Sequence, residues 1–414
     1  MDVRLVGLCG VGFLARCSYA LARTPVLALF ASALGAGPEA VGLAVGISTV
    51  TGVLFKMPAG VLSDTLGRRW MLLVGLACFA LVPFAYLAID SYAWLLPVRF
   101  VHGFATAIYS PVAMAVVIET AGERRAETLA WFSSITLVGN LLGAPLGGLL
   151  LTLLAAGGAP GLGDFHVIYG VVAALGMGAL LLGILVLRSE RGRPALGQGK
   201  RLGESWRAFQ SGVRQILFNR SVLLTSNLEG MQHLAVGALE AFLPVYAVQG
   251  LGFTPFQAGL LWAVQTVMAL LSKPLMGRMS DRKDRRALLF AGMILCALPF
   301  AAMPWVSSFS ALLALSAVFG LGEAVVNSSG AALVADLCEA NHLGAAMGAF
   351  GTLFDVGHAA GPMVAGVLIA LSGGTDYRPA FAGIALLLVG SALVFRIGMR
   401  GALPTRAPTA PPPA

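Results

Sequence analysis

Long apolar runs broken by short polar stretches fill this chain. They fall at 8–34, 41–62, 71–89, 93–118, 129–155 and 166–187, then resume at 221–249, 255–277, 287–306, 309–335, 343–371 and 378–399. Each is close to the ~20 residues that an α-helix needs to cross a bilayer. The pattern predicts an all-α membrane protein of twelve spans in two six-helix bundles, 1–187 and 221–400, with a linker over 188–220 between them. Within the linker Trp206, Phe209, Val213, Ile216 and Leu217 recur at helical spacing, which predicts a helix lying on the membrane surface. The tail, 401–414, is Pro-rich and is expected to be disordered. The N-terminus enters the first apolar run without a small-residue cleavage site, so that run reads as a span and not a signal peptide.

Composition agrees with a lipid-facing surface. Hydrophobic residues make up 58% and charged ones only 11%, against roughly 25% charged in soluble domains. The 52 Gly and 21 Pro suit packed membrane helices, where neighbours satisfy freed backbone groups. Cys9, Cys17, Cys78, Cys296 and Cys338 are scattered without a CxxC pair, so neither a disulfide framework nor a metal site is expected. Lys and Arg crowd one set of alternate loops, as at Arg68 and Arg69, Arg124 and Arg125, and throughout the linker, while the other set carries only Arg378. This bias predicts both termini and the linker in the cytoplasm of a cell whose plasma (inner) membrane holds the protein. It also accounts for the net charge of +8 as a topology signal beside anionic lipid, with no nucleic-acid partner.

The two bundles are related in sequence. Lys56, Gly60, Ser63, Asp64, Arg68 and Arg69 recur at an offset of 217 as Lys273, Gly277, Ser280, Asp281, Arg285 and Arg286. Glu119 falls on Asp336 at the same offset, and GNLLGAPLGG (139–148) falls on GHAAGPMVAG (357–366) at 218. Parallel six-span repeats are one layout of secondary transporters.

These residues resemble the major facilitator superfamily over all but the tail. Gly60-x3-Asp64-x2-Gly67-Arg68-Arg69 is similar to its motif A, and Arg99-x2-His102-Gly103 to its buried-arginine motif. Gly139, Gly143, Pro145, Gly147 and Gly148 resemble the span-five motif of the drug/proton-antiporter branch, with Pro145 one place late. Their repeat copy is Gly357, Gly361, Pro362 and Gly366. The resemblance implies that motif A and Glu119, with the copy at Gly277, Asp281, Arg285, Arg286 and Asp336, form a latch that favours the outward-open state. The alternative is that Arg68 and Arg69 serve only as topology signals. The Gly/Pro segments allow close helix approach, whether as plain packing or to block leak.

A charge at mid-membrane costs at least ~3 kcal/mol on insertion scales, so each needs a reason. Arg16 and Arg23 share a face of span one, with Tyr19 beside it; Glu229, His233 and Glu240 form a stripe on span seven at equivalent positions. The superfamily's layout implies that both stripes face a central cavity. Arg99, Glu323 and Asp355 are further candidates, with cations mostly in the first half and anions in the second. These groups would bind substrate and carry protons, or else form fixed bridges between the halves. Lys56 and Lys273 are expected to snorkel, and His102, His233 and His358 to be packing residues.

A non-transporting membrane sensor or an intramembrane enzyme is the remote alternative, and no HExxH, GxSxG or metal cluster supports an enzyme. The expected protein is a monomeric transporter without cofactor, driven by a proton gradient, that exports a small organic compound. A symporter or exchanger for an anionic or zwitterionic solute is the alternative, because two arginines on one face could clamp a carboxylate.

Overall fold

A computed structural model of the chain describes residues 3–121, 124–188, 207, 219–338 and 343–400. The proposed linker helix and the Pro-rich tail lie outside the described residues. Among the latter the protein is all-helical, with twelve helices long and apolar enough to cross a membrane. Helix α1 runs over Val3–Arg23 and, after a break at Thr24 and Pro25, over Val26–Ala33. The rest of the first half is α2 (Pro38–Leu66), α3 (Arg68–Ala85), α4 (Tyr92–Thr120), α5 (Arg125–Leu154) and α6 (Leu162–Val186). The second half is α7 (Arg220–Val245), α8 (Pro255–Arg282), α9 (Arg285–Ala302), α10 (Phe309–Leu337), α11 (Leu343–Leu371) and α12 (Arg378–Gly398). Helices α5 and α6 each begin four residues before their apolar runs, because polar first turns carry no hydrophobic signal.

Local chemistry sets the helix starts. Asn219 Oδ1 accepts from the amides of Ser221 and Val222 at the head of α7, and Thr254 and Gln257 form a capping box on α8. Gly67 turns the chain from α2 into α3 at φ 97°, a conformation that glycine adopts without cost.

The repeat is visible in the packing. Helix α1 packs on α5 as α7 does on α11, α2 on α4 as α8 on α10, and α3 on α6 as α9 on α12. The halves meet through two equivalent crossings, α2 with α11 and α5 with α8. Glycine permits backbone contact there. A Cβ on Gly42 or Gly366 would strike the backbone of Pro362 or Pro38, and one on Gly148 or Gly259 that of Pro255 or Ala144.

All four glycines lie toward the membrane face away from the basic loops. The main hydrophobic core is continuous across the halves there, joining Phe30, Val41 and Phe165 to Phe242 and Phe300. Toward the basic face the first half keeps a separate core, around Leu8, Leu76 and Val116, that includes no described residue of the second half. The bundles are therefore sealed on one side and parted on the other. Helix α7 sits at the centre: its most apolar window is 89% buried, although its mean hydropathy of 1.2 is the lowest of the twelve. A helix surrounded by protein can carry polar groups that lipid would reject.

Candidate functional site

The charged stripes of α1 and α7 meet at one point among the described residues. Thr24 and Pro25 interrupt α1 just after Arg23, whose guanidinium Nε pairs with Glu240 on α7. Thr24 Oγ1 donates to the same carboxylate at 3.1 Å. His358 on α11 completes the cluster, its Nε2 lying 2.9 Å from Glu240 Oε2 and 2.8 Å from Arg23 Nη2. One ring nitrogen cannot accept from an obligate donor and donate to a carboxylate at once, so the ring's protonation decides which contact is a hydrogen bond. This cluster ties α1 of the first half to α7 and α11 of the second. His358, expected only to pack, is a bridge.

A second tie lies on the parted side of the α2–α11 crossing. Lys56 Nζ is 2.5 Å from Asp355 Oδ2. Lys56 thus reaches the other half instead of snorkelling. The two partners are 299 residues apart in the chain, and neither has a local signal that names the other.

The other two intramembrane acids pair with no Lys or Arg among the described residues, although His233 Nδ1 stands 4.0 Å from Glu229 Oε1. Glu229 is 2% exposed, its Oε2 has no hydrogen-bond partner, and it lies against Gly330 of α10. His233, one turn on, turns Nδ1 toward the Glu229 carbonyl at 3.1 Å, with its ring over Phe354. Glu323 receives Gln265 Nε2 at 3.3 Å.

Two arginines of the first half also lack acids among the described residues, in different settings. Arg99 is completely buried; its Nε donates to Ala44 O at 3.2 Å and its Nη2 to Ser48 Oγ at 2.5 Å. Tyr19 shares Ser48 at 3.3 Å and lies 6.0 Å under the guanidinium, so the pair fixes α1, α2 and α4 together. His102 bonds Tyr86 OH at 3.1 Å behind them. Arg16 instead donates to Ser110 Oγ at 2.9 Å and lines a cavity of ≈ 420 Å³ among α1, α4 and α5.

The motif A residues form ion pairs inside each half. Arg68 bridges Asp64 at 3.1 Å and Glu119 at 2.7 Å, joining α2, α3 and α4. Arg285 bridges Asp281 at 3.2 Å and also pairs with Asp336, joining α8, α9 and α10. Arg286 Nη1 donates to Met399 O at 3.1 Å. The Gly/Pro segments pack α5 on α1 and α11 on α7. Added Cβ atoms would meet Phe13 O at Gly139 and Leu21 O at Gly147, and Gly230 O at Gly357 and Leu234 O at Gly361. Gly148 and Gly366, at the end of each segment, face the opposite half.

Two helical bundles with charged ties between them, sealed on one side, form the frame of a transporter. The sequence profile of the Major Facilitator Superfamily matches residues 8–267 and again 228–414. The chain belongs to the Major Facilitator Superfamily. The superfamily relatives include an uncharacterized MFS-type transporter of Methanocaldococcus jannaschii, 22% identical over 94% of both chains. A multi-drug resistance efflux pump PmrA homolog of Lactococcus lactis is 24% identical over 88% of this chain and 87% of its own. In fold the chain is similar to the nucleoside transporter NupG, with a TM-score of 0.76 at 16% identity, covering 97% of this chain and 100% of that one. The protein is a multi-pass membrane transporter of this superfamily and not an enzyme.

Proposed function

We propose that the protein exports small organic compounds in exchange for protons, as a monomer without cofactor, by alternating access across the plasma membrane. Its termini and linker lie in the cytoplasm, on the strength of the Lys/Arg bias, so the conformer described above faces inward. The observation that carries the reading is the sorting of the intramembrane acids. Glu240 and Asp355 each pair with an Arg or Lys of the other half, whereas Glu229 and Glu323 pair with no Lys or Arg among the described residues.

The Arg23–Glu240 tie stands beside the seal and must break when the halves rock, because the sealed side is the one that opens next. Protonating Glu240 removes the charge that holds Arg23, which couples a proton to the rocking step. Glu229 and Glu323 sit away from the ties, where an uncompensated charge is costly; they are the groups that take up a proton when the halves change state. The likeness to an efflux pump homologue supports export as the direction.

The test uses purified protein in liposomes with an imposed pH gradient and a panel of organic acids, lipophilic cations and sugars. Uptake of the responding compound collapses when a protonophore is added. Flux that ignores the gradient overturns the coupling.

A second reading, exchange of an anionic or zwitterionic solute, is favoured by Arg16, which lines a cavity and has no acid partner among the described residues.

A further inference from the structure

Of the intramembrane cations Arg16, Arg23, Lys56 and Arg99 of the first half, one has no acid partner among the described residues and also borders open space. Arg23 and Lys56 are taken by Glu240 and Asp355. Arg99 is sealed against backbone and Ser48, with no exposed surface. Arg16 alone among these lines the cavity between α1, α4 and α5, where it donates to Ser110 Oγ. The α5 wall, around Asn140, lies on the parted side of the crossing with α8 at Ala144 and Gly148, so the described residues of the second half do not cover it.

The lining is mixed. Arg16, Ser110 and Asn140 supply donors, and Phe132 and Met114 supply apolar surface. A guanidinium presents a planar set of N–H groups that matches a carboxylate, and it places only one of them on Ser110 here. The two-arginine clamp suggested by spacing along α1 does not form, because Arg23 is engaged elsewhere. A volume of ≈ 420 Å³ is in the range of small-molecule sites.

We infer that this cavity is a substrate subsite for an amphipathic organic monoanion, whose carboxylate binds Arg16 and Ser110 while its apolar body lies on Phe132 and Met114. The inference rests on the transport reading above and names the substrate class of that site. A lipophilic cation is disfavoured by the same cavity, since Arg16 would repel it with no acid among the lining residues to offset the charge.

Calorimetric titration of the detergent-purified full-length protein tests it, with naphthoate as probe, and naphthamide and naphthylmethylammonium as its neutral and cationic counterparts. Wild-type protein binds naphthoate and the other two at least about tenfold more weakly, as expected for a charge-assisted bond. Arg16→Gln weakens naphthoate by about tenfold or more, Arg16→Lys restores part of that, and Ser110→Ala costs a few-fold. Ser110→Ala keeps the charge and gives a reading should Arg16→Gln fail to fold. Equal binding of naphthoate and naphthamide, unchanged binding by Arg16→Gln and Ser110→Ala, or no naphthoate binding to wild type overturns the inference. The titration needs no gradient: Arg16-dependent binding with gradient-independent flux sinks only the coupling, and gradient-driven flux without it sinks only the subsite.

Discussion

The two halves share their helix contacts, their motif A ion pairs and their glycine seams, yet their interiors carry opposite charge. The first holds Arg16, Arg23, Lys56 and Arg99; the second holds Glu229, Glu240, Glu323 and Asp355, with Lys273 as the counterpart of Lys56. Where the two sets meet, at Arg23–Glu240 and Lys56–Asp355, they hold the halves together. Where they do not meet, each half keeps its own chemistry: a cation beside a cavity in one, acids with no Lys or Arg pair among the described residues in the other. On the reading proposed above, a duplicated scaffold separates anion recognition from proton handling by changing a few side chains on equivalent helices.

The largest effect is expected from breaking the tie. Removing one partner of a buried pair typically costs about 3–5 kcal/mol, because the other charge is stranded. Arg23→Ala leaves Glu240, 3% exposed, without its arginine and with only His358 and Thr24 beside it. Spin labels at Ala33 and Thr375, both exposed on the sealed side, will show the halves separating, and transport will fall by about a hundredfold or more. The exchanged pair Arg23→Glu with Glu240→Arg recovers part of both. An unchanged label distance in Arg23→Ala would show that the glycine contacts alone seal this side.

Next in size is the loss of proton carriers. Glu229→Gln and Glu323→Gln keep the shape of each side chain and remove its proton. Each is expected to reduce gradient-driven accumulation roughly tenfold or more while substrate exchange without a gradient persists. Loss of both activities together would assign these acids to structure and not to coupling.

The scaffold was legible from the pattern of residues, and the ties were not. Apolar runs locate the spans because every lipid-facing turn must be apolar, and the 217-residue offset pairs Asp64 with Asp281 because duplication leaves spacing intact. Polar ends escape that logic, as Arg125 ahead of the α5 run illustrates. The Arg16/Arg23 stripe was readable from helical periodicity, but its division was not. Arg23 finds Glu240 because the break at Pro25 ends its helix there, whereas Arg16 points to Ser110 of α4. Periodicity gives the face of a helix and says nothing of what stands opposite. His358 and Lys56 show the same limit: each is an ordinary polar residue until its partner in the other half is placed.

The smallest effects come from the seams, where the halves should behave alike. An added Cβ at Gly143 would overlap Ala20 and Leu21 of α1, and one at Gly361 would overlap Leu234 of α7. Overpacking of this kind costs about 1–3 kcal/mol, so Gly143→Ala and Gly361→Ala are expected to lower the melting temperature in detergent by similar amounts. Gly277 has open space where its Cβ would stand, so Gly277→Ala is expected to leave it unchanged. Matching losses at Gly143 and Gly361 mean that the duplication preserved the mechanics and that the divergence lies in charge. A large loss at one and none at the other would mean instead that one half is the rigid body against which the other moves.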